Sequence, residues 1–455
     1  MQQPVFNSMK LASMIGMTMA GLLISYLNGW PLAAGFSIGL IYTVMVAFRG
    51  AIPWREIGKG MREGAWHTKE VMMILLFVGL LIPAWTGSGT IPYLIQQCLA
   101  WLPPSYFLVF CFVSSSIVAM ILGTSTGTLS ALGIPLVGAA AALDVPLAMC
   151  AGALVSGAFV GDRTSPVSSA ARLTASSAGN VPEVHRKAIR GTTLAAITLT
   201  VTFFLILDLR HAWGANGIPM PEYLGLFDLH ISLALPAMIL VTAMLLKWPL
   251  IWTFGISIAT SMVLGSIWQG VTLMEWSTSL LTGWDQGGYA ALHTKGLLDM
   301  LDLICLIGLA GALIGVLERA NAIEPWIQRM MGGRTSMLVA TMKLFGFGVL
   351  LGMISCTQTL PLMVSGKTVR PVWIQRFASA DLSRVVSDTA LVTAGLIPWN
   401  MLALLCATIL DVPVTAYVPY AIFLWCLPLC TLWVSMRRDR SSQKAQPSIP
   451  ANLSS

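Results

Sequence analysis

Long apolar runs follow one another along the chain, and short polar stretches that hold most of the charged residues separate them. A helix that crosses a bilayer needs roughly 20 mostly apolar residues, because backbone amides cannot stay unpaired in hydrocarbon. The pattern therefore predicts an all-α polytopic membrane protein with about 10–13 transmembrane segments. The predicted spans lie near residues 9–28, 30–48, 71–89, 104–122, 128–143, 146–161, 190–208, 229–246, 249–268, 299–317, 336–354, 385–410 and 415–436.

The composition supports this interpretation. Of the 455 residues, 56% are hydrophobic and 10% are charged, whereas soluble domains carry about 25% charged residues. Such a chain cannot cover a soluble surface, which excludes a soluble enzyme. The net charge of +7 comes from basic loops rather than one continuous positive face, so nucleic acid is not an expected partner. The eight cysteines lack C-x-x-C spacing, which argues against a disulfide framework or a zinc site.

The basic residues of short loops predict the orientation. Lys and Arg concentrate at 49–70, at 183–190 and after residue 436, whereas 209–228 and 270–298 contain few of them. Because basic loops stay inside, both termini are expected in the cytoplasm of a bacterial cell with the chain in its inner membrane. The first apolar run lacks a small-residue cleavage site and is interpreted as a retained helix.

Two halves of the chain contain similar parts in the same order. Amphipathic stretches at 89–97 and 321–329 precede hydroxyl-rich breaks at 123–128 and 355–361, and charged hydroxyl segments follow at 161–169 and 382–389. This duplication predicts two inverted-type repeats with interrupted helices or re-entrant hairpins, as in secondary transporters. The predicted regions are N-terminal helices with a basic loop at 1–70, a first transport repeat at 71–208, connecting helices at 209–298, a second transport repeat at 299–436 and a disordered tail at 437–455.

The strongest local signal is the segment that starts at Gly161, where Asp162 and several hydroxyls follow an apolar run. Gly161 and Pro166 are expected to break the helix and to leave carboxylate, hydroxyl and carbonyl oxygens facing a protein-lined cavity. Sodium prefers such oxygen ligands, and an acid within a span is by default a functional candidate. The alternative is an ordinary cytoplasmic helix end, at which Asp162 and Arg163 are solvated.

Three further segments extend the predicted site. The hydroxyls between Gly123 and Thr128 fit a hairpin tip, although they also suit hydroxyls bonded within their own helix and glycines that allow tight packing. Asp388 enters an apolar run that breaks again near Asn400; its protonation is either coupled to ion binding, or it forms an ion pair with Arg384, one turn earlier. The candidate ion or substrate ligands are Asp162, Thr164, Ser165, Ser168, Ser169, Thr124, Ser125, Thr126, Thr357, Thr359, Ser387, Asp388, Thr389 and Asn400, with Arg163, Arg172 and Arg384 as charge partners.

The chain resembles the NhaC family of sodium/proton antiporters. In the first half the similarity rests on Trp85, Gly89-Thr90-Ile91-Pro92, Gly123-Thr124-Ser125 and Ser156-Gly157-Ala158 before Gly161-Asp162. In the second half it rests on Leu382-Ser383-Arg384, Asp388, Leu396-Ile397-Pro398-Trp399-Asn400 and Tyr417-Val418-Pro419-Tyr420. The resemblance implies a secondary carrier, commonly a sodium/proton antiporter that works by alternating access at a midplane site.

The chain also departs from the family pattern, and the departures concern the substrate. The family segment usually reads G-D-K-x-S-P-x-S-D-T-T-N, whereas this chain has Ser169 in place of the second acid and Arg172 in place of the Asn. An acidic pair expected later is replaced by Ser387-Asp388. Fewer carboxylates and an added Arg favour a cation-coupled transporter of an amino acid or organic acid as the alternative.

The remaining expectations are simple. No catalytic nucleophile or phosphate-binding loop occurs, so no enzymatic activity and no cofactor are predicted, and no metal beyond a sodium ion. The expected partners are sodium and protons, or a small organic solute, and the lipid bilayer; a homodimer is left open. An ion channel and a non-transporting scaffold are weaker alternatives, because neither needs paired, interrupted halves.

Overall fold

The computed structural model describes residues 8–50, 52–102, 104–211, 213, 220–285, 293–319 and 336–445, and every regular element in these ranges is helical. This confirms the predicted fold class. The α-helices in chain order are α1 Ser8–Leu27, α2 Leu32–Arg49, α3 Trp54–His67, α4 Lys69–Gly87, α5 Thr90–Trp101, α6 Phe107–Leu122, α7 Ser125–Thr128, α8 Ile134–Ala142, α9 Leu147–Thr164, α10 Ser169–Ser177, α11 Pro182–His211, α12 Leu235–Leu245, α13 Leu250–Trp268, α14 Leu273–Thr282, α15 Leu301–Arg319, α16 Met337–Ser355, α17 Thr359–Lys367, α18 Arg370–Trp373, α19 Ser379–Val386, α20 Met401–Leu410, α21 Val414–Tyr417 and α22 Ile422–Ala445.

Eight helices of the described ranges are long and apolar enough to cross a membrane, and a ninth span results if the bent pair Met401–Leu410 and Val414–Tyr420 counts as one. Of the other predicted spans, 146–161 falls on the continuous helix α9 and most of 415–436 on α22, and the rest fall on shorter or interrupted elements. Apolar helices at Ala12–Leu27 and Ile231–Leu245 are short, and the predicted span 385–410 contains a non-helical stretch before Met401. The apolar pattern alone does not distinguish these elements from complete spans.

One group of helices consists of α6, α9 and α11. The Ser115 hydroxyl of α6 donates a 2.8 Å hydrogen bond to the Leu154 carbonyl of α9, and Gly161, farther along α9, lies against Ala119, farther along α6. These two helices therefore run in the same direction. Helix α11 runs the opposite way, because Asp208 near its end accepts hydrogen bonds from the first amides of α6.

A second group consists of α16, α19 and α22. Asp439 near the end of α22 accepts hydrogen bonds of 2.8 and 2.9 Å from the amides of Met337 and Leu338, which begin α16. Thr341 then meets Ser435, with 3.0 Å between the hydroxyl oxygens, so α16 and α22 are antiparallel. In both groups an aspartate at the end of one helix caps the amino terminus of another.

Both predicted hydroxyl-rich breaks are present. Helix α6 ends at Gly123 (φ 72°), and α16 ends at Cys356 (φ 52°). A left-handed residue at a helix end is easy for glycine and costly for other residues. At Cys356 the conformation is held by the hydrogen bond from the Met401 amide to the Cys356 carbonyl, at 2.7 Å.

The structure corrects two expectations about helix ends. Helix α9 continues through Gly161 to Thr164, because Gly161 serves as a packing surface for α6 rather than as a break. The tail was expected to be disordered from residue 437, but α22 extends to Ala445. The amphipathic stretch at 321–329 and the residues after 445 lie outside the described ranges.

Candidate functional site

The carboxyl end of α9 forms one side of the site. The helix ends at Thr164, since Pro166 has no N–H and restricts Ser165, which is extended with ψ 133°. The chain resumes as α10 after Ser168, whose side chain accepts a hydrogen bond from the Ala171 amide as an N-cap. The helical path is therefore interrupted at 165–168, a few residues later than expected.

Asp162 lies in the last turn of α9 and is 6% exposed. Its Oδ1 accepts a 2.8 Å hydrogen bond from the backbone N–H of Ser125, the first residue after the break that follows α6. Within the described ranges, no Lys, Arg or His side chain forms an ion pair with Asp162. An ionised carboxylate buried in this way needs either a proton or a bound cation to neutralise it.

Hydroxyls near Asp162 form hydrogen bonds that connect the helix interruption at 165–168 with the end of α6. Ser165 donates a 2.8 Å hydrogen bond to the Met120 carbonyl near the end of α6, and Ser168 donates one of 2.7 Å to the Asp162 carbonyl. The hydroxyl oxygens of Thr124 and Thr126 lie 3.1 Å apart. The hydroxyls of Ser165 and Ser168 therefore link the end of α9 to the end of α6 and to the backbone of Asp162.

Asp388 lies on the other side of the site, in a π-helical turn at Ser387–Leu391. Its side chain and that of Arg163 are completely buried, and the two form an ion pair. Arg163 also donates hydrogen bonds to the hydroxyls of Thr192, at 2.8 Å, and Thr193, both on α11. Because Arg163 follows Asp162 directly, this ion pair joins the two halves of the chain beside the buried carboxylate.

The ion pair between Arg384 and Asp388, one of the two interpretations of the sequence, does not form in the structure. Arg384 donates to the Thr431 hydroxyl of α22 and lies 3.6 Å from the Asp381 carboxylate. An i,i+4 pair shares one face only in a regular α-helix. Here the helix widens to π geometry at Ser387, so the expected register does not hold.

The second break, which follows α16 at Cys356, is also held by side-chain hydrogen bonds. The Asn400 side chain caps α20 by accepting a 3.1 Å hydrogen bond from the Leu402 amide, and it donates another of 3.1 Å to the Gly352 carbonyl of α16. Gln358 donates to the Leu391 carbonyl at 3.1 Å. The Thr357 hydroxyl is directed to Ser355, 3.4 Å away. Asn400 therefore holds the break together and is not a free ligand.

Several other candidates lie away from the buried oxygens or are already bonded. Ser169, Thr359 and Arg172 are exposed. The hydroxyls of Thr164 and Thr389 donate to the carbonyls of Val160 and Val385 in their own helices, each at 2.6 Å. Ser387 is buried, and its hydroxyl has no hydrogen-bond partner.

Sequence reasoning missed the contribution of α11. His185 contacts the Ser383 hydroxyl of α19, and Thr192 and Thr193 hold Arg163. His185 and Thr192 are seven residues apart, which places them on one face of the helix. The adjacent threonines within an apolar run were the available signal.

A cavity of about 330 Å³ lies between α5, α8 and α20. Ile134 and Thr408 are among its lining residues, as are Lys295 and Asp411, whose ion pair measures 2.8 Å. The helical segment that begins at Ser125 continues through the π-helical turn into α8. The same segment therefore contacts Asp162 at one end and lines the cavity farther along.

Comparison with known proteins gives a consistent result. The sequence model described as the Na+/H+ antiporter family matches residues 188–435, which include Asp388 and Asn400. The chain is 28% identical over 404 residues to the Na(+)/H(+) antiporter NhaC of Bacillus subtilis, covering 84% of this chain and 87% of that protein. It is 27% identical over 395 residues to the NhaC of Alkalihalophilus pseudofirmus, with 84% and 85% covered. It is 23% identical over 406 residues to the malate-2H(+)/Na(+)-lactate antiporter of Bacillus subtilis, with 87% and 86% covered.

Proposed function

The chain belongs to the Na+/H+ antiporter family, and on this premise we propose that it exchanges sodium for protons by alternating access at a site centred on Asp162. The observation that carries the proposal is a buried carboxylate at an interrupted helix, bonded to a backbone amide and to no basic side chain of the described ranges. Such a group binds either a proton or a cation. Competition between the two ions couples their movements in opposite directions.

The ligands proposed for sodium are oxygen atoms of the two breaks. The Asp162 carboxylate supplies the charge, and the hydroxyls of Ser125, Thr124 and Thr126 lie on the segment that contacts it. The last turn of α9, which ends at Thr164, adds carbonyl oxygens that no longer have a helical amide partner. Hard cations favour a shell composed of carboxylate, hydroxyl and carbonyl oxygens.

The directions of α11, α19 and α22 support inverted repeats, and inverted repeats are the basis of alternating access. Along α11 and α19, His185 meets Ser383 and Thr192 lies near Asp388, so these helices are parallel. Along α19 and α22, Asp381 pairs with Arg438 and Arg384 with Thr431, so these are antiparallel. It follows that α11 and α22 run in opposite directions.

Since α6 opposes α11 and α16 opposes α22, the two helix groups have opposite orientations. This supports the division into transport repeats at 71–208 and 299–436, with the site between them. Both termini are proposed to be cytoplasmic, because the basic loops at 49–70 and 183–190 then lie inside.

The experiment measures sodium-driven proton movement in everted membrane vesicles with a pH-sensitive dye. Asp162→Asn should abolish it, because an amide can neither bind a proton reversibly nor neutralise sodium. Asp228→Asn, an exposed position outside the site, is the matched control and should retain wild-type movement. Normal exchange by Asp162→Asn at equal expression would exclude Asp162 as the exchanged site.

A second candidate function is cation-coupled transport of an organic acid. Arg172 is exposed and donates hydrogen bonds to the carbonyls of Val167 and Ser168, so its guanidinium lies at the interruption after α9. A relative named as a malate and lactate antiporter adds to this possibility. Uptake of labelled malate and lactate into liposomes with imposed sodium and proton gradients separates the two functions.

A further inference from the structure

Four carboxylates are buried in the described part of the chain, namely Asp162, Asp208, Asp381 and Asp388. Two of them have structural partners away from the site. Asp208 accepts hydrogen bonds from the Leu108 and Val109 amides and from the Trp213 ring. Asp381 forms ion pairs with Arg438 and Arg384.

Asp388 is also compensated, by a cation inside the protein. Arg163 is fully buried, and Thr192 and Thr193 hold the guanidinium in place from α11. If sodium replaced Arg163 at Asp388, the guanidinium would be left buried without a counter-charge, which is strongly unfavourable. Arg163 therefore neutralises Asp388 through its Oδ1, while the buried Oδ2 has no hydrogen-bond partner among the described residues.

We infer that Asp162 is the single exchangeable carboxylate in the described part of this transporter, and that the buried Arg163–Asp388 ion pair is a structural contact that positions it. The inference rests on the proposed function and assigns the roles within its site. A single carboxylate is neutral when it binds one proton and also when it binds one sodium ion. The exchange is therefore one sodium for one proton, and no net charge crosses the membrane in a cycle.

The first test uses wild-type protein in liposomes, in which a potassium gradient with valinomycin sets the membrane potential. With one net charge per cycle, a potential of about 100 mV would sustain a sodium gradient of roughly 50-fold. We expect no sodium gradient from the potential alone, and we expect a pH gradient to drive sodium movement. A sodium gradient that follows the potential would overturn the inference.

The second test is a double-mutant cycle on the ion pair. Arg163→Gln and Asp388→Asn should each reduce sodium-driven proton movement by roughly 100-fold, because each leaves one buried charge without its partner. The double variant removes both charges, so it should recover at least about 10-fold over either single variant, with the sodium KM within about 3-fold of wild type. Thermal stability should recover in parallel.

Two results of the cycle would contradict the inference. One is a folded double variant that is no more active than either single variant. The other is an Asp388→Asn protein of normal stability whose sodium KM rises about 10-fold or more, which would identify Asp388 as a sodium ligand. If the variants do not fold, the potential measurement on wild-type protein still decides the question.

The outcomes also separate this inference from the proposed function. Wild-type liposomes without any sodium-driven proton movement would refute the exchange itself. Liposomes that exchange sodium for protons but respond to the potential would retain the function and refute only the single-charge assignment. Asp162→Asn should stay inactive in every background, including the double variant.

Discussion

Gly161 offers the sharpest test of how the site is assembled, because it lies beside Asp162 and has no room for a side chain. A Cβ atom at this position would lie 2.2 Å from the carbonyl carbon and oxygen of Ala119 in α6. One turn earlier, a Cβ at Gly157 would lie 2.5 Å from the Phe112 carbonyl oxygen. These glycines allow the backbones of α6 and α9 to touch, as small residues do in membrane helix pairs.

The cost of Gly161→Ala follows from this geometry. Ordinary carbon contacts begin at roughly 3.5 Å, so α9 must move away from α6 by roughly 1 Å. The obstacle is backbone and cannot rotate aside, and overpacking of this kind costs about 1–3 kcal/mol. The movement also separates Asp162 from the Ser125 amide, now 2.8 Å away. Because a 1 Å displacement can reduce catalysis by about 100-fold, we expect sodium-driven proton movement to fall roughly 10- to 100-fold.

The assay compares Gly161→Ala with Gly191→Ala in everted vesicles at equal expression. Gly191 lies within α11, and no atom comes within 4 Å of a Cβ built on it. The control should transport normally and be up to about 1 kcal/mol more stable, because alanine favours a helix over glycine. If Gly161→Ala matched this control in both transport and melting temperature, α6 and α9 could not be in backbone contact beside Asp162.

Two further substitutions test hydrogen bonds that cap the amino termini of α6 and α14. Asp208→Ala removes the acceptor for the Leu108 and Val109 amides and should destabilise the protein by about 0.5–2 kcal/mol, measured as a lower melting temperature in detergent, whereas Asp228→Ala should leave it unchanged. Hydrogen bonds from the backbone and side chain of Thr272 hold the pKa of Glu275 below its ordinary value of 4.5. The ionised Glu275 therefore stabilises the folded protein above pH 4.5, and this stabilisation is lost as the pH falls through the lowered pKa. The melting temperature of Glu275→Gln should consequently depend less on pH than that of the wild type below pH 4.5. Equal slopes of melting temperature against pH for the two proteins would argue against the capping box.

The existence of the breaks could be predicted from the sequence, but the position of the break near Gly161 could not. Glycine and hydroxyl residues in an apolar run indicated the break after α6, and Gly123 does adopt a left-handed conformation there. The same reasoning placed a break at Gly161, where the structure has a continuous helix. A glycine in a sequence can serve either as a flexible joint or as a packing surface, and only the neighbouring helix determines which.

Charge pairing was harder to predict, since it depends on contacts that are distant in the chain. Arg384 lies four residues before Asp388, and a regular helix would bring them together. The partner is instead Arg163, 225 residues away in sequence. An acid within an apolar run indicates that a cation must neutralise it, but the sequence does not indicate which arginine forms the ion pair.

The long-range pairing also explains why two aspartates of similar sequence context differ chemically. Asp162 and Asp388 both lie in turns beside interrupted helices, and both are buried. Arg163 lies in the same turn as Asp162, yet it pairs with Asp388, and no basic side chain of the described residues forms an ion pair with Asp162. The arginine thereby connects the two halves of the chain, and the exchange proposed at Asp162 depends on this asymmetry of the ion pair. Moving the positive charge from residue 163 to a position that contacts Asp162 would remove the difference and should therefore abolish the proposed exchange.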